Sequence, residues 1–305
     1  MSLRVISWES FINPSSDPFP SGSADECSAW PRGPLSLSVG VFDGVHRGHQ
    51  ILIGKILAYA ERQGGTGGVV TFRQNPRGIL RPGDFSGDIY SLPQKLRTLE
   101  GLGAAFAVLI DFSGDFSRIS GKEFAALLGK RSVGYLAVGA NFRCGYRLDT
   151  GARLLRDMMS AGGTVTELAP QLREGGAPIS SSRIRRAILA GDIAGAAGLL
   201  GRPYSVDLTG LCPGSEGAVL CWDLRKGGRI LPPAGRYGGL LQAGEAVFPV
   251  EFFIDSGGLF LKREAVLRGP GKTADPPEPE DFLNFSVLSV EFESVQRTVF
   301  LTGSL

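Results

Sequence analysis

The stretch Val39-Gly-Val-Phe-Asp-Gly-Val-His-Arg-Gly-His-Gln-Ile-Leu-Ile-Gly54 holds both histidines of the 305-residue chain, His46 and His49, inside one four-residue window. It follows the apolar, β-branched run LSLSVGVF (35–42) and leads directly into HQILIGKILAYAERQ, whose apolar residues recur at three- and four-residue spacing. A strand therefore passes into a helix here, with both imidazoles at the turn and on one side of it. Gly40, Gly44 and Gly48 let the backbone turn tightly and approach a ligand, and the N–H groups that open a helix favour an anion.

Outward from this turn the same alternation continues. GVVTF (68–72), AAFAVLIDF (104–112), GYLAVGANF (134–142) and TVTELAP (164–170) read as strands. LPQKLRTLEGLG, SGKEFAALLGKR and GARLLRDMMSAGG read as amphipathic helices between them, and SSSRIRRAILAGDIAGAAGLLG (180–201) as a last long helix. Such alternation predicts an α/β Rossmann-like domain: a parallel sheet with right-handed crossovers and helices on both faces. Ligands of such sheets bind beyond the carboxyl ends of the strands, where the histidine window falls.

After Gly201 the texture changes. SEGAVLCWDL, RYGGLLQ, AVFPVEFFID, GGLFLKREAVL, FSVLSVEFES and RTVFLTG are closely spaced alternating runs broken by Gly, Pro and charged turns, which predicts a small antiparallel β-barrel or sandwich. RGPGKTADPPEPEDF (268–282) reads as a Pro- and acid-rich surface loop within it. The expected domains are 1–201 and 202–305.

Composition narrows the function. Hydrophobic residues make up 43% and charged residues 20%, ordinary for a globular protein, and no apolar run reaches the roughly 20 residues of a membrane span. The N-terminal stretch lacks a charged segment followed by an apolar one, so a cytoplasmic protein is expected. Cys27, Cys144, Cys212 and Cys221 have no paired or zinc-type spacing and read as reduced thiols. A net charge of +2 argues against a dedicated nucleic-acid binder. Residues 201–305 carry 10 Lys+Arg against 13 Asp+Glu, which leaves +5 on residues 1–200 and suits an anionic small molecule there.

Two imidazoles at this turn suit either a metal or the charge on a transferring phosphoryl group. A metal site wants a third ligand, and Asp43 would have to serve. The phosphate reading fits the glycines and the helix start better, so no protein metal site is expected.

GVFDGVHRGHQ resembles the HxGH-bearing turn of the nucleotidylyltransferase superfamily, and its longer form resembles that of bacterial FAD synthetases, the adenylyltransferase half of bifunctional riboflavin kinase/FMN adenylyltransferase. VTFRQNPRGIL (70–80), VGANFRCGYRLDTG (138–151) and ISSSRIRRAILAGDIAGAAGLLGRPYS stand in the family's order, so the likeness covers about residues 35–205. It implies transfer of AMP from ATP to FMN, giving FAD and pyrophosphate, with Mg²⁺ carried by ATP. His46, His49, Asn141 and Arg183 would act in catalysis. Gly40, Phe42, Asp43, Gly44, Gly48, Ser180, Ser181, Ser182 and Arg185 would bind ATP, and Asn75, Phe142 and Arg143 the flavin. The partners expected are these small molecules, with neither nucleic acid nor membrane.

Three departures stand out. Where the family reads P-H-P, this chain has Gln74-Asn75-Pro76, an amide in place of an imidazole. A basic residue before the serine motif is replaced by Pro178, with Arg173 as a substitute. Residues 202–305 resemble the scaffold of the riboflavin kinase half but lack its P-T-A-N tetrad, so a degenerate riboflavin-kinase-like barrel without kinase activity is expected. Two other readings compete: a nucleotidylyltransferase with another phosphorylated acceptor, and a catalytically silent flavin- or nucleotide-binding regulatory protein.

Overall fold

The computed structural model describes residues 2–13, 31, 33–208, 214–216, 219–224, 228–243, 246–255, 258–262 and 285–290. By their contacts they form two compact units, Met1–Phe85 with Leu92–Ile179, and Ser86–Ser91 with Ser180–Leu305.

The first unit is built on six parallel strands: β1 (Arg4–Ser7), β2 (Leu35–Val39), β3 (Thr66–Phe72), β4 (Phe106–Ile110), β5 (Val133–Gly139) and, beyond the two-residue strands β6 (Arg143–Cys144) and β7 (Thr150–Gly151), β8 (Val165–Ala169). Their order is β1-β4-β3-β2-β5-β8. The five strands expected from the alternation are present. The edge strand β1 was not anticipated, because four residues followed at once by helix α1 (Trp8–Ile12) are too short for a periodicity to register.

Side chains alternate between two cores, as the period of a strand requires. Leu35, Leu37, Val39, Phe106, Val108, Ile110, Leu136 and Val138 pack with Phe124 and Leu128 of α5 (Gly121–Leu128) and Leu155 of α6 (Ala152–Ala161). Ala107, Tyr135 and Ala137 face Leu52, Ile53 and Ile56 of α2 (Arg47–Gln63) and Leu99 of α4 (Leu92–Gly101). Small strand residues lie on this second face, and Gly67 leaves room for Leu57, which a Cβ there would meet at 2.8 Å. A short helix, α3 (Pro76–Leu80), precedes α4.

Chain order reverses across the middle of the sheet. From β2 the chain moves to β3 and β4 on one side, whereas β5 pairs with the other edge of β2 and leads to β8. The carboxyl ends of β2 and β5 thus flank a topological switch point, where a crevice opens between loops that diverge. The hairpin β9 (Arg173–Glu174) and β10 (Ala177–Pro178) closes the unit.

In the second unit the expected long helix at 180–201 is two helices, α7 (Ser181–Leu189) and α8 (Ile193–Leu200). Gly191 adopts φ +76°, and the Asp192 carboxylate accepts from the Gly195 N–H at 2.8 Å, so one helix stops and the next is capped within three residues. Among the described residues seven antiparallel strands follow: β11 (Tyr204–Asp207), β12 (Gly214–Glu216), β13 (Val219–Asp223), β14 (Gly235–Ala243), β15 (Ala246–Ile254), β16 (Gly258–Lys262) and β17 (Phe285–Val290). Their order is β11-β17-β14-β15-β16-β13-β12. The runs 268–282 and 297–303 lie outside the described residues.

Ser86–Ser91 joins this unit as a strap. Asp88 donates to Gly228 O and accepts from Ile230 N, at 2.8 and 2.9 Å. Among the described residues no helix is long and apolar enough to cross a membrane.

Candidate active site

Strand β2 stops at Val39, earlier than the run 35–42 suggested, because the backbone reverses hand at Phe42. Phe42 and Val45 hold φ of +51° and +39°, and Gly44 between them +73°. Two non-glycine residues in the left-handed region are strained and persist only where their surroundings fix them. Here Phe42 and Val45 are fully buried, the Val45 N–H bonds Phe42 O at 3.1 Å, and the Gln50 amide donates to Val45 O at 3.0 Å. The apolar residues of this turn are its anchors, and His46 is the residue released at its end.

His46 is the N-cap of α2. Its Nδ1 accepts from the His49 N–H at 3.4 Å. A ring whose Nδ1 accepts carries its proton on Nε2, so the donor edge of His46 points away from the helix end. The His49 ring stacks on it, with centroids 3.6 Å apart and planes 16° from parallel, and Phe42 meets His49 edge-on at 5.1 Å. Gly48 permits this stack, since a Cβ there would lie 3.2 Å from the His46 ring. The expected shared orientation of the two imidazoles is what the geometry gives, at the positive end of a 17-residue helix.

Asp43, almost fully buried, lies 3.5 Å from the Asn75 side-chain nitrogen. Asn75 also caps α3 by accepting from the Arg77 N–H at 3.2 Å. The amide that replaces an imidazole is thus tied to the histidine turn through a carboxylate. Arg47, between the two histidines, forms an ion pair with Glu174 of β9.

Beside the turn a cavity of about 550 Å³ opens at the carboxyl ends of β2 to β5. Val39, Gly40 and Val41, the residues that lead into the histidine turn, line part of it, and Phe72, Phe112, Phe116 and Phe142 give it an aromatic interior. Arg81, Arg143 and Arg147 line it too. The Arg143 guanidinium donates to Leu148 O at 2.7 and 3.1 Å, which pins one wall. Cys144 lies in the same lining, and burial pushes its thiol up to about 12, which keeps it protonated and inert. Asn141 sits exposed in the turn after β5. Such a cavity beside a helix start suits a flat apolar ring that carries an anionic tail.

The first unit therefore holds His46, His49, Gly40, Phe42, Asp43, Gly44, Gly48, Asn75, Asn141, Phe142 and Arg143, and the second unit holds Ser180, Ser181, Ser182, Arg183 and Arg185. Ser180 is the N-cap of α7, its hydroxyl accepting from the Arg183 N–H at 3.3 Å. Ser182 is exposed, and the buried Arg185 guanidinium donates from Nε to Gly87 O at 2.7 Å.

Sequence reasoning missed Lys95. Only 7% exposed, its ammonium donates to Phe72 O at 2.7 Å and to Val41 O at 3.3 Å. The signal was present in LPQKLRTLEGLG, where Lys95 falls on the apolar stripe between Leu92 and Leu99.

A profile described as FAD synthetase matches residues 31–183, half of the chain. The bifunctional riboflavin kinase/FMN adenylyltransferase of Bacillus subtilis is 32% identical over 210 residues, 66% of this chain and 65% of that protein. The protein of the same name from Escherichia coli K12 is 30% identical over 173 residues, 56% of this chain and 55% of that one. The matches thus span between half and two thirds of these relatives' lengths. A crystal structure described as a macrolide-efflux protein from Streptococcus pneumoniae has a TM-score of 0.74 and covers 99% of this chain and 93% of its own, at 18% identity, a likeness of fold alone. Through the histidine turn at its switch point and the profile match across it, this chain belongs to the FAD synthetase family.

Proposed function

We propose that the chain is an FMN adenylyltransferase, moving AMP from ATP onto FMN to yield FAD and pyrophosphate. The observation that carries this reading is the stacked His46–His49 pair on a turn whose leading residues, Gly40 and Val41, line an aromatic cavity. An FMN phosphate oxygen attacks the α-phosphorus, the bond to the β-phosphate breaks, and pyrophosphate leaves, with no covalent enzyme intermediate. The work is alignment and charge stabilisation. The isoalloxazine ring fills the cavity against Phe142. The His46 Nε2–H and His49 donate to phosphate oxygens as negative charge shifts toward the leaving group, and the helix start adds its positive end.

ATP enters as its Mg²⁺ complex, held by nucleotide oxygens. Asn141 is assigned to substrate, and Ser180, Ser181, Ser182, Arg183 and Arg185 to the nucleotide. We assign residues 1–201 to this transfer module, and residues 202–305 to a riboflavin-kinase-like barrel that has lost its kinase site together with the P-T-A-N tetrad.

An acceptor comparison tests the assignment. With labelled ATP, FMN should take up AMP, while ribose 5-phosphate, which carries the phosphate without the ring, should not. Transfer to ribose 5-phosphate with FMN inert would point to a different acceptor and overturn it.

A further inference from the structure

We propose that Lys95 is a positioning residue of the transfer site, holding the strained Phe42–Val45 turn from which His46 and His49 project. The proposal rests on the adenylyl-transfer reading above. Parallel strands leave carbonyls at their carboxyl ends without a ladder partner, and such groups must be satisfied when buried. At β2 and β3 the Lys95 ammonium does this. It donates to Phe72 O at 2.7 Å, to Val41 O at 3.3 Å and to Thr71 Oγ1 at 3.4 Å. Thr71 Oγ1 in turn donates to Val41 O at 3.0 Å.

Val41 O is therefore gripped twice, and the next residue is the one that turns left-handed. Fixing that carbonyl fixes the orientation of the peptide plane that enters the turn. Phe72 and Val41 also line the cavity, so one buried cation holds both part of the cavity lining and the carbonyl that leads into the histidine turn. Burying an ammonium is costly, and an apolar side chain of like volume serves stability as well or better. The charge thus has a use in placing oxygen atoms. Removing it should misplace the imidazoles by a fraction of an ångström, which matters far more to a reaction that depends on alignment than to folding.

The test compares the wild-type chain with Lys95→Met, Lys95→Arg and Thr71→Val. Loss of a charge-assisted bond predicts that Lys95→Met lowers kcat by about 30-fold. Both KM values should stay within about threefold, because the ring pocket and the triphosphate grip remain. Lys95→Arg should recover most of the rate, and Thr71→Val, which keeps the ammonium but removes one grip on Val41 O, should fall between. Hydrogen–deuterium exchange of the peptide spanning Val39–His49 should speed up in Lys95→Met and, to a lesser degree, in Thr71→Val. Wild-type kcat in Lys95→Met with only a lower melting temperature would overturn the proposal. Should Lys95→Met not fold, unchanged kcat and exchange in Thr71→Val would overturn it equally. If the wild-type chain forms no FAD, the adenylyltransferase reading fails, and the exchange comparison still decides whether Lys95 holds the turn.

Discussion

His46 caps α2 and, in the proposed reaction, donates to phosphate, whereas the His49 ring stacks between His46 and Phe42. The two substitutions should therefore behave differently. His49→Ala should reduce kcat/KM by about a hundredfold or more, in line with the loss of one preorganised donor to a developing charge, and leave stability nearly unchanged. His46→Ala should lose at least as much activity and also about 1 kcal/mol of stability, as the cap of α2 goes with it. Turnover measured beside thermal melts checks both, and wild-type turnover in either variant would remove the imidazoles from the mechanism. The spacing of the two histidines was legible because so few residues of that type exist to scatter. Lys95 was not read, since its place on the apolar stripe marks a buried charge but does not name the carbonyls, of Val41 and Phe72, that it binds.

At the scale of elements, the parallel strands were legible from β-branched runs, because burial on both faces removes the need for polar alternation. What escaped were the features decided by a single residue. The break between α7 and α8 rests on Gly191 and Asp192, a stop and a start signal that the surrounding alanine- and leucine-rich pattern masked. Asp192→Ala removes the side-chain acceptor for the Gly195 N–H and should destabilise the chain by about 1 kcal/mol in urea unfolding. An unchanged midpoint would mean that tertiary packing, not the cap, holds the break. Strand β2 likewise ended early because the left-handed Phe42 follows it, and an apolar residue carries no sequence signal of positive φ.

For the whole molecule, the sequence divided the chain by texture at Gly201, and the contacts divide it at Ile179, with the strap Ser86–Ser91 joining the later unit. A six-residue excursion of this kind has no compositional mark, since Ile89 and Tyr90 look like any apolar pair until Arg202 is seen to donate to the Tyr90 hydroxyl at 3.0 Å. The described strands after residue 202 are antiparallel, as their texture suggested, and the proposed loss of kinase activity rests on the missing P-T-A-N tetrad. The account therefore meets its most direct test in solution. Purified protein is incubated with ATP and Mg²⁺, with FMN in one sample and riboflavin in another, and the flavins are separated by chromatography. The account predicts FAD from FMN and unchanged riboflavin; no FAD from FMN would contradict the adenylyltransferase assignment, and FMN or FAD formed from riboflavin would contradict the loss of the kinase.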